Sequence, residues 1–273
     1  MDRQTLVPNE LVIVDGSRDK KTDCIIQGRR HTSKYPILYI RSEPNLTIQR
    51  NIGILHSSGE YLYFFDDDIV LDSKYLENIQ KTFLDDKYLK IGGIAGRIVN
   101  FPAANKPVDR IFRKLFYLTD LGRGRIKLSG LPEHRNDSVL SYVNVLSGCC
   151  MAYKKEVFVH FRFDENLKGY SYLEDIDFSY RVSQKFGLLY QPLAKCEHFA
   201  TTFKNANSRT LRRMLVRNHL YLFKKNIPKD ICHLYAFGMS LIGLLINNGI
   251  MLKDINACIG IIEGLMNPLR TTT

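Results

Sequence analysis

Short apolar runs that end in turn residues alternate along this chain with stretches whose apolar positions recur every three to four residues. The run Leu11-Val12-Ile13-Val14, closed by Asp15-Gly16-Ser17, has the form of a buried strand entering a tight turn. Residues 37–40 form a second such run, and residues 46–56 then carry Ile48, Ile52 and Leu55 at i, i+4 and i+7, a helix that should stop near Gly59. Tyr61-Leu62-Tyr63-Phe64-Phe65 is aromatic or apolar throughout, which predicts a fully buried strand, and it leads straight into Asp66-Asp67-Asp68. Ser73 is placed to cap a helix with Leu76, Ile79 and Phe83 on one face, and residues 91–98, with their glycines, read as a further strand. This alternation predicts an α/β fold with a mostly parallel sheet and helices on both faces. Ligands of such sheets bind beyond the carboxyl ends of strands, where the three aspartates fall.

The second half is less regular. Residues 100–137, rich in Arg, Lys, Gly and Pro, read as a long excursion over the surface, and residues 139–153 as a strand or hairpin around Ser147-Gly148. A helix is expected from Glu174, with Phe178, Val182 and Phe186 on one face before Gly187 ends it. Residues 208–225 form a basic helix, with Leu211, Leu215 and Leu222 on one side, Arg209, Arg212, Arg213 and Arg217 around it, and Pro228 closing it. The strongly apolar stretch 237–252 contains Asn247 and Asn248 and falls short of the roughly 20 residues that span a bilayer, so it reads as a core helix or an interfacial segment.

Composition narrows the classes. The chain has 273 residues, 45% hydrophobic and 25% charged, which fits a folded body and excludes a disordered or fibrous one. Its net charge of +11 calls for phosphate-bearing ligands, nucleic acid or an anionic membrane surface. The basic residues are scattered and no RNA- or DNA-binding motif occurs, so nucleic acid is set aside. The six cysteines show neither CxxC nor a zinc spacing, and the first ten residues lack an apolar leader core. The expectation is a chain with reduced thiols, located in the cytoplasm.

Two acidic groups carry candidate chemistry. On strand geometry Asp66 and Asp68 point to one side while Asp67 points away, and two hard oxygen ligands beside a substrate diphosphate suit Mg²⁺ or Mn²⁺. The plain alternative is a solvated acidic turn. Glu174-Asp175-Ile176-Asp177 either complements the dipole of the helix it opens or supplies a general base, Asp175 by preference.

Taken in order, LVIVDGSRD (residues 11–19), NIGILHSSGEYLYFFDDDI (51–69), SGCCMAYKKEVF (147–158), RFDENL (162–167), LEDIDFSYRV (173–182) and RNHLYLFKKN (217–226) resemble the family 2 glycosyltransferases of the GT-A fold. The resemblance covers residues 4–226, and the tail IIEGLMNPL is similar to that of rhamnosyltransferase-like members. It implies a GT-A-type domain over residues 1–205, then a C-terminal helical extension over 206–273. It also implies an inverting, metal-assisted transfer of a sugar from a nucleotide-diphospho-sugar to a hydroxyl of a saccharide or lipid-linked acceptor. On the same basis Asp175 is the base, and Asp66 and Asp68, with His198 of CEHFAT, hold the divalent metal. Asp15 contacts the nucleotide base, and Asp67, Gly148, Glu174 and Arg217 complete the donor site. Family members open with a strand and loop of the type VIIPTYNR and a helix before the segment matched by QTLVPNELVIVDGS. That first strand is expected to be missing here, which leaves open either a start within a longer chain or an inactive remnant that binds nucleotide or a partner without turnover. Peripheral contact of the C-terminal extension with the cytoplasmic face of a membrane is a further expectation.

Overall fold

The computed structural model describes residues 1–85, 90–101, 107–199 and 207–269. The chain opens with β1 (Leu11–Asp15), α1 (Lys21–Arg29), β2 (Ile37–Arg41) and α2 (Leu46–His56). Joined through a helix, β1 and β2 pair in parallel, with Leu11 opposite Ile37 and Asp15 opposite Arg41. Then come β3 (Tyr61–Phe65), β4 (Ile69–Leu71), α3 (Tyr75–Leu84), β5 (Ile91–Ile98), α4 (Pro107–Leu115), and the short pair β6 (Asp120–Leu121) and β7 (Glu133–His134). They are followed by β8 (Ser141–Val143), β9 (Cys150–Lys154), α5 (Val157–His160), α6 (Glu174–Ser183) and β10 (Gly187–His198). Three helices close the described chain: α7 (Ser208–Asn226), α8 (Ile231–Ile246), which runs on as a π-helical turn Asn247–Met251, and α9 (Ile255–Met266).

The main sheet has the order β3-β9-β5-β10-β4, with β8 also on β10. Its β3, β5 and β10 run the same way, while β9 runs antiparallel between β3 and β5, so the sheet is mixed. A helix of a βαβ crossover fixes the direction of the next strand, but β9 is reached through the long segment after β5, which imposes no such direction. Side-chain alternation fills both faces. Met151, Tyr153, Phe178, Val182 and Leu188 form one core, and Cys150, Ala152, Leu189, Tyr75 and Ile79 the other. Fully buried Tyr75 ties α3 to two strands: its hydroxyl donates to the Cys150 carbonyl at 2.6 Å and accepts from the Gly96 amide at 3.1 Å. A side chain at position 96 would collide with it, since a Cβ there would stand 2.4 Å from the Tyr75 ring.

Several local expectations change. Only Leu62 of β3 is buried, because among the described residues β3 hydrogen-bonds to β9 alone and lies at the sheet edge. α2 has the expected bounds, but it buries Thr47, Arg50 and Ile54 and leaves Leu55 75% exposed. Ser73 does not cap α3; the Asp72 carboxylate accepts from the Lys74 amide instead. Residues 139–153 are not a hairpin, since β8 pairs with β10 and β9 with β3 and β5. The 100–137 excursion is packed, with Leu118 and Leu131 at 3% and 2% exposure, and its residues 102–106 lie outside the described ones. The expected boundary at residues 205 and 206 also lies outside them.

The C-terminal helices are tied to the α/β body by ion pairs and packing. Lys225 of α7 reaches Asp164 at 2.6 Å and the fully buried Asp177 of α6 at 3.0 Å. Asn218 donates to the Tyr172 carbonyl, and buried His219 meets the Ser129 carbonyl at 2.7 Å through Nε2. α7 lies against α9 so closely that a Cβ at Gly260 would stand 2.1 Å from the Arg209 carbonyl oxygen.

Candidate active site

At its carboxyl end β3 leaves the sheet in a turn formed by Asp66, Asp67 and Asp68, then enters β4. β4 pairs antiparallel with the end of β10, setting His198 opposite Ile69, and this pairing carries the imidazole to the aspartates. His198 Nε2 lies 3.0 Å from Asp68 Oδ1, and Asn100 holds the His198 backbone through both its amide and its carbonyl. Ligand atoms of Asp66, Asp68 and His198 lie within 4.8 Å of one another. The turn, rather than the strand pleat invoked from spacing, unites the carboxylates; Asp67 is exposed.

Behind them stands Arg50, 8% exposed on α2, a residue that sequence reasoning missed. Its guanidinium pairs with buried Glu174 and with Asp66 at 3.4 Å, and donates to the Gly148 carbonyl at 3.1 Å. Burial pushes the Glu174 carboxyl up to about 8 against the pull of Arg50, and the Asp175 charge adds to the rise. Burial likewise holds Asp66 above its ordinary range; Arg50 draws it down, while Asp175 and Asp68 push it further up. One guanidinium thus faces more carboxylate charge than it neutralises. The surplus, together with two carboxylates and an imidazole in reach of one point, fits a divalent cation such as Mn²⁺.

Asp175 lies beside this group at the start of α6. Its Oδ2 accepts from the Gly148 amide at 2.8 Å and its Oδ1 from the Ile176 amide at 2.9 Å. A Cβ at Gly148 would stand 2.9 Å from the Asp175 Cβ, so glycine is required for this approach. The backbone bends sharply to deliver the pair: Leu173, just before Glu174, has φ +72°, a left-handed conformation that costs a non-glycine residue about 1–3 kcal/mol. Two further residues feel the carboxylates. Burial and the charges of Asp66 and Asp175 push the Tyr170 phenol up. His134 is held low by burial while Asp175 draws it back up, and it lines a pocket with Ser147, Asn136 and Tyr190.

Asp15, at the end of β1, accepts from the Ser17 amide at 2.7 Å and from the Tyr39 hydroxyl at 2.7 Å, with Arg41 at 3.1 Å. Burial pushes its carboxyl up, but the Ser17 and Tyr39 hydrogen bonds and Arg41 outweigh burial and hold it low. Gln49, beside Arg50 on α2, donates to the Val14 carbonyl at 2.8 Å, so adjacent residues of one helix hold the ends of β1 and β3. Arg217 is not brought to the cluster by any contact among the described residues. It lies on α7 against α9, its amide 3.2 Å from where a Gly264 Cβ would be, and its buried Nε has no hydrogen-bond partner among the described residues.

The sequence model of Glycosyl transferase family 2 matches residues 3–161. The chain belongs to that family. The match includes Asp15, the three aspartates after β3, Arg50 and Gly148, while Glu174, Asp175, His198 and Arg217 lie beyond it. No curated protein matches the sequence significantly. Among solved structures, this family 2 chain resembles GalNAc-T7 with UDP, GalNAc and Mn²⁺, at TM-score 0.60 and 13% identity over 95% of this chain. It spans only 50% of the length of that structure. It also resembles the mannosyltransferase PcManGT from Pyrobaculum calidifontis in complex with GDP-Man and Mn²⁺, at TM-score 0.58 and 14% identity over 97% of this chain and 79% of that one. At these identities the likeness shows the fold, a GT-A glycosyltransferase architecture.

Proposed function

We propose that this family 2 glycosyltransferase moves a hexosyl or rhamnosyl group, with inversion, from a nucleotide-diphospho-sugar to a hydroxyl of a saccharide or lipid-linked acceptor in the cytoplasm. The observation that carries the reading is the placing of Asp175 beside the Asp66, Asp68 and His198 group, joined by one buried arginine. The acceptor oxygen attacks the anomeric carbon, the bond from that carbon to the diphosphate oxygen breaks, and the hydroxyl proton passes to the Asp175 carboxylate. Asp66, Asp68 and His198 would hold a Mn²⁺ or Mg²⁺, which would supply charge neutralisation for the diphosphate. Gly148 fixes the Asp175 carboxylate through its amide while Arg50 holds the Gly148 carbonyl and Glu174, so base and cation ligands keep one geometry. Asp15 would meet the nucleotide base, and Asp67 the donor. Arg217 would complete the donor site by neutralising diphosphate charge.

Calorimetric titration with UDP, GDP and dTDP, each with and without Mn²⁺, tests the site. One nucleotide should bind only with Mn²⁺, and Asp68→Ala should abolish that binding while the fold persists. Equal binding by Asp68→Ala, or none by the folded wild type, would remove the donor site from this reading.

A further inference from the structure

The C-terminal helices show large apolar side chains to solvent in ordered stripes. On α8 and its π-helical turn, Ile231, Leu234, Tyr235, Ile242 and Ile250 are exposed, Ile231 by 82% and Ile250 by 72%. On α9, Ile255, Ile259, Ile262 and Met266 recur at i, i+4, i+7 and i+11, and Ile255 and Met266 are 73% and 75% exposed. The neighbouring α4 adds Val108, Ile111 and Leu115, each more than half exposed, on a helix that also carries Arg110, Arg113 and Lys114. The three helices adjoin: a Cβ at Gly243 of α8 would stand 2.4 Å from Phe116, at the end of α4, and Cys258 Sγ of α9 lies 3.9 Å from the Leu245 carbonyl of α8. Scattered surface hydrophobics are ordinary, but adjoining stripes on three helices mark a contact surface.

Charge selects what covers it. Within residues 207–269 the acids are Asp230, Asp254 and Glu263, and all are committed internally. Asp230 caps α8, Asp254 caps α9 and accepts from Ser208, and Glu263 pairs with Arg209. The basic residues around them, Arg213, Lys224, Lys229 and Lys253, are exposed. A second copy seated by a twofold axis would set these cations against themselves, whereas anionic lipid headgroups complement them. Length alone would let the 21 residues Ile231–Met251 cross a bilayer, but one side of this helix is occupied. Ala236, Ser240, Gly243 and Leu244 pack inward, and buried Asn248 accepts from Arg212. Apolar side chains on one flank and the protein body on the other describe a helix lying in the interface plane.

We propose that the α8–α9 face, with α4 beside it, rests on the surface of an anionic lipid bilayer. This deepens the reading of a lipid-linked acceptor given above, and its test requires no turnover. The full chain should sediment with phosphatidylcholine vesicles containing phosphatidylglycerol at low salt, and about tenfold or more weakly with phosphatidylcholine alone or after Lys229→Glu with Lys253→Glu. Ile255→Glu with Ile262→Glu, both at exposed positions, should abolish sedimentation while the circular dichroism spectrum and nucleotide titration stay as in wild type. Asp68→Ala should lose nucleotide binding and keep vesicle binding, which separates failure of the donor site from failure of this proposal. Absence of sedimentation with anionic vesicles overturns it, as does binding indifferent to the two glutamates. A concentration-dependent dimer that the same glutamates dissolve would assign the face to a second copy and overturn it equally.

Discussion

The end of β3 and the α8–α9 pair both depart from the ordinary arrangement of apolar inside and charge outside, in opposite directions. Around Arg50 a guanidinium and carboxylates are held in the interior, and each makes contacts that fix another. Along α8 and α9 the polar groups are satisfied locally by caps and ion pairs, and the apolar side chains are left outside. Buried charge in one place and exposed apolar surface in the other are the informative deviations in a folded chain. The first is organised toward a small charged ligand and the second toward an extended surface, so one molecule has two kinds of recognition on separate elements.

The comparison is sharpened most by Asp175→Asn. If the buried charges serve catalysis, turnover should fall about 10²–10⁴-fold in steady-state assays, while the affinity for nucleotide with Mn²⁺ stays unchanged. Retained turnover would reduce the cluster to a structural feature.

Arg50→Met comes next, because it leaves Glu174 and Asp66 without their cation in the interior. Denaturant unfolding should show a loss of about 3–5 kcal/mol, and adding Glu174→Gln should restore a large part of it. A stable Arg50→Met chain would mean that the two regions do not differ in how they treat charge.

The smallest of the three effects lies in the C-terminal helices and runs with pH. Burial pushes His219 down to about 4 from its ordinary 6.5, against the hydrogen bond of its Nε2 to the Ser129 carbonyl, which draws it back up. The unfolded chain therefore binds the proton first, and stability is complete above pH 6.5 and declines as pH falls toward 4. The decline amounts to about 3 kcal/mol, and His219→Gln should flatten it in urea titrations at stepped pH.

The strand and helix bounds near β1, β2, α2, β5 and α7 were legible because apolar periodicity reports local geometry. Of the site residues, Asp66, Asp68, His198, Gly148 and Asp175 were each named from their motifs, and the structure brings them together. Arg50 escaped because α2 was read by its isoleucines. A basic residue at a position three after Thr47 and four before Ile54 was the available signal, but it acquires meaning only once Glu174 and Asp66 are known to face it. Tyr170 and His134 carried no signal at all, since their relation to the carboxylates is set by packing between segments apart in the sequence.

By itself the sequence determined the alternation of strands and helices, the acidic turn after β3 and the acidic start of α6, because these depend on residues within a few positions of one another. Only the tertiary structure decided that β9 runs antiparallel between β3 and β5 and that Arg50 joins the two motifs. Those features pair segments far apart in the sequence, as Arg50 with Glu174 and β9 with β3 and β5, and only chain packing sets which of them meet.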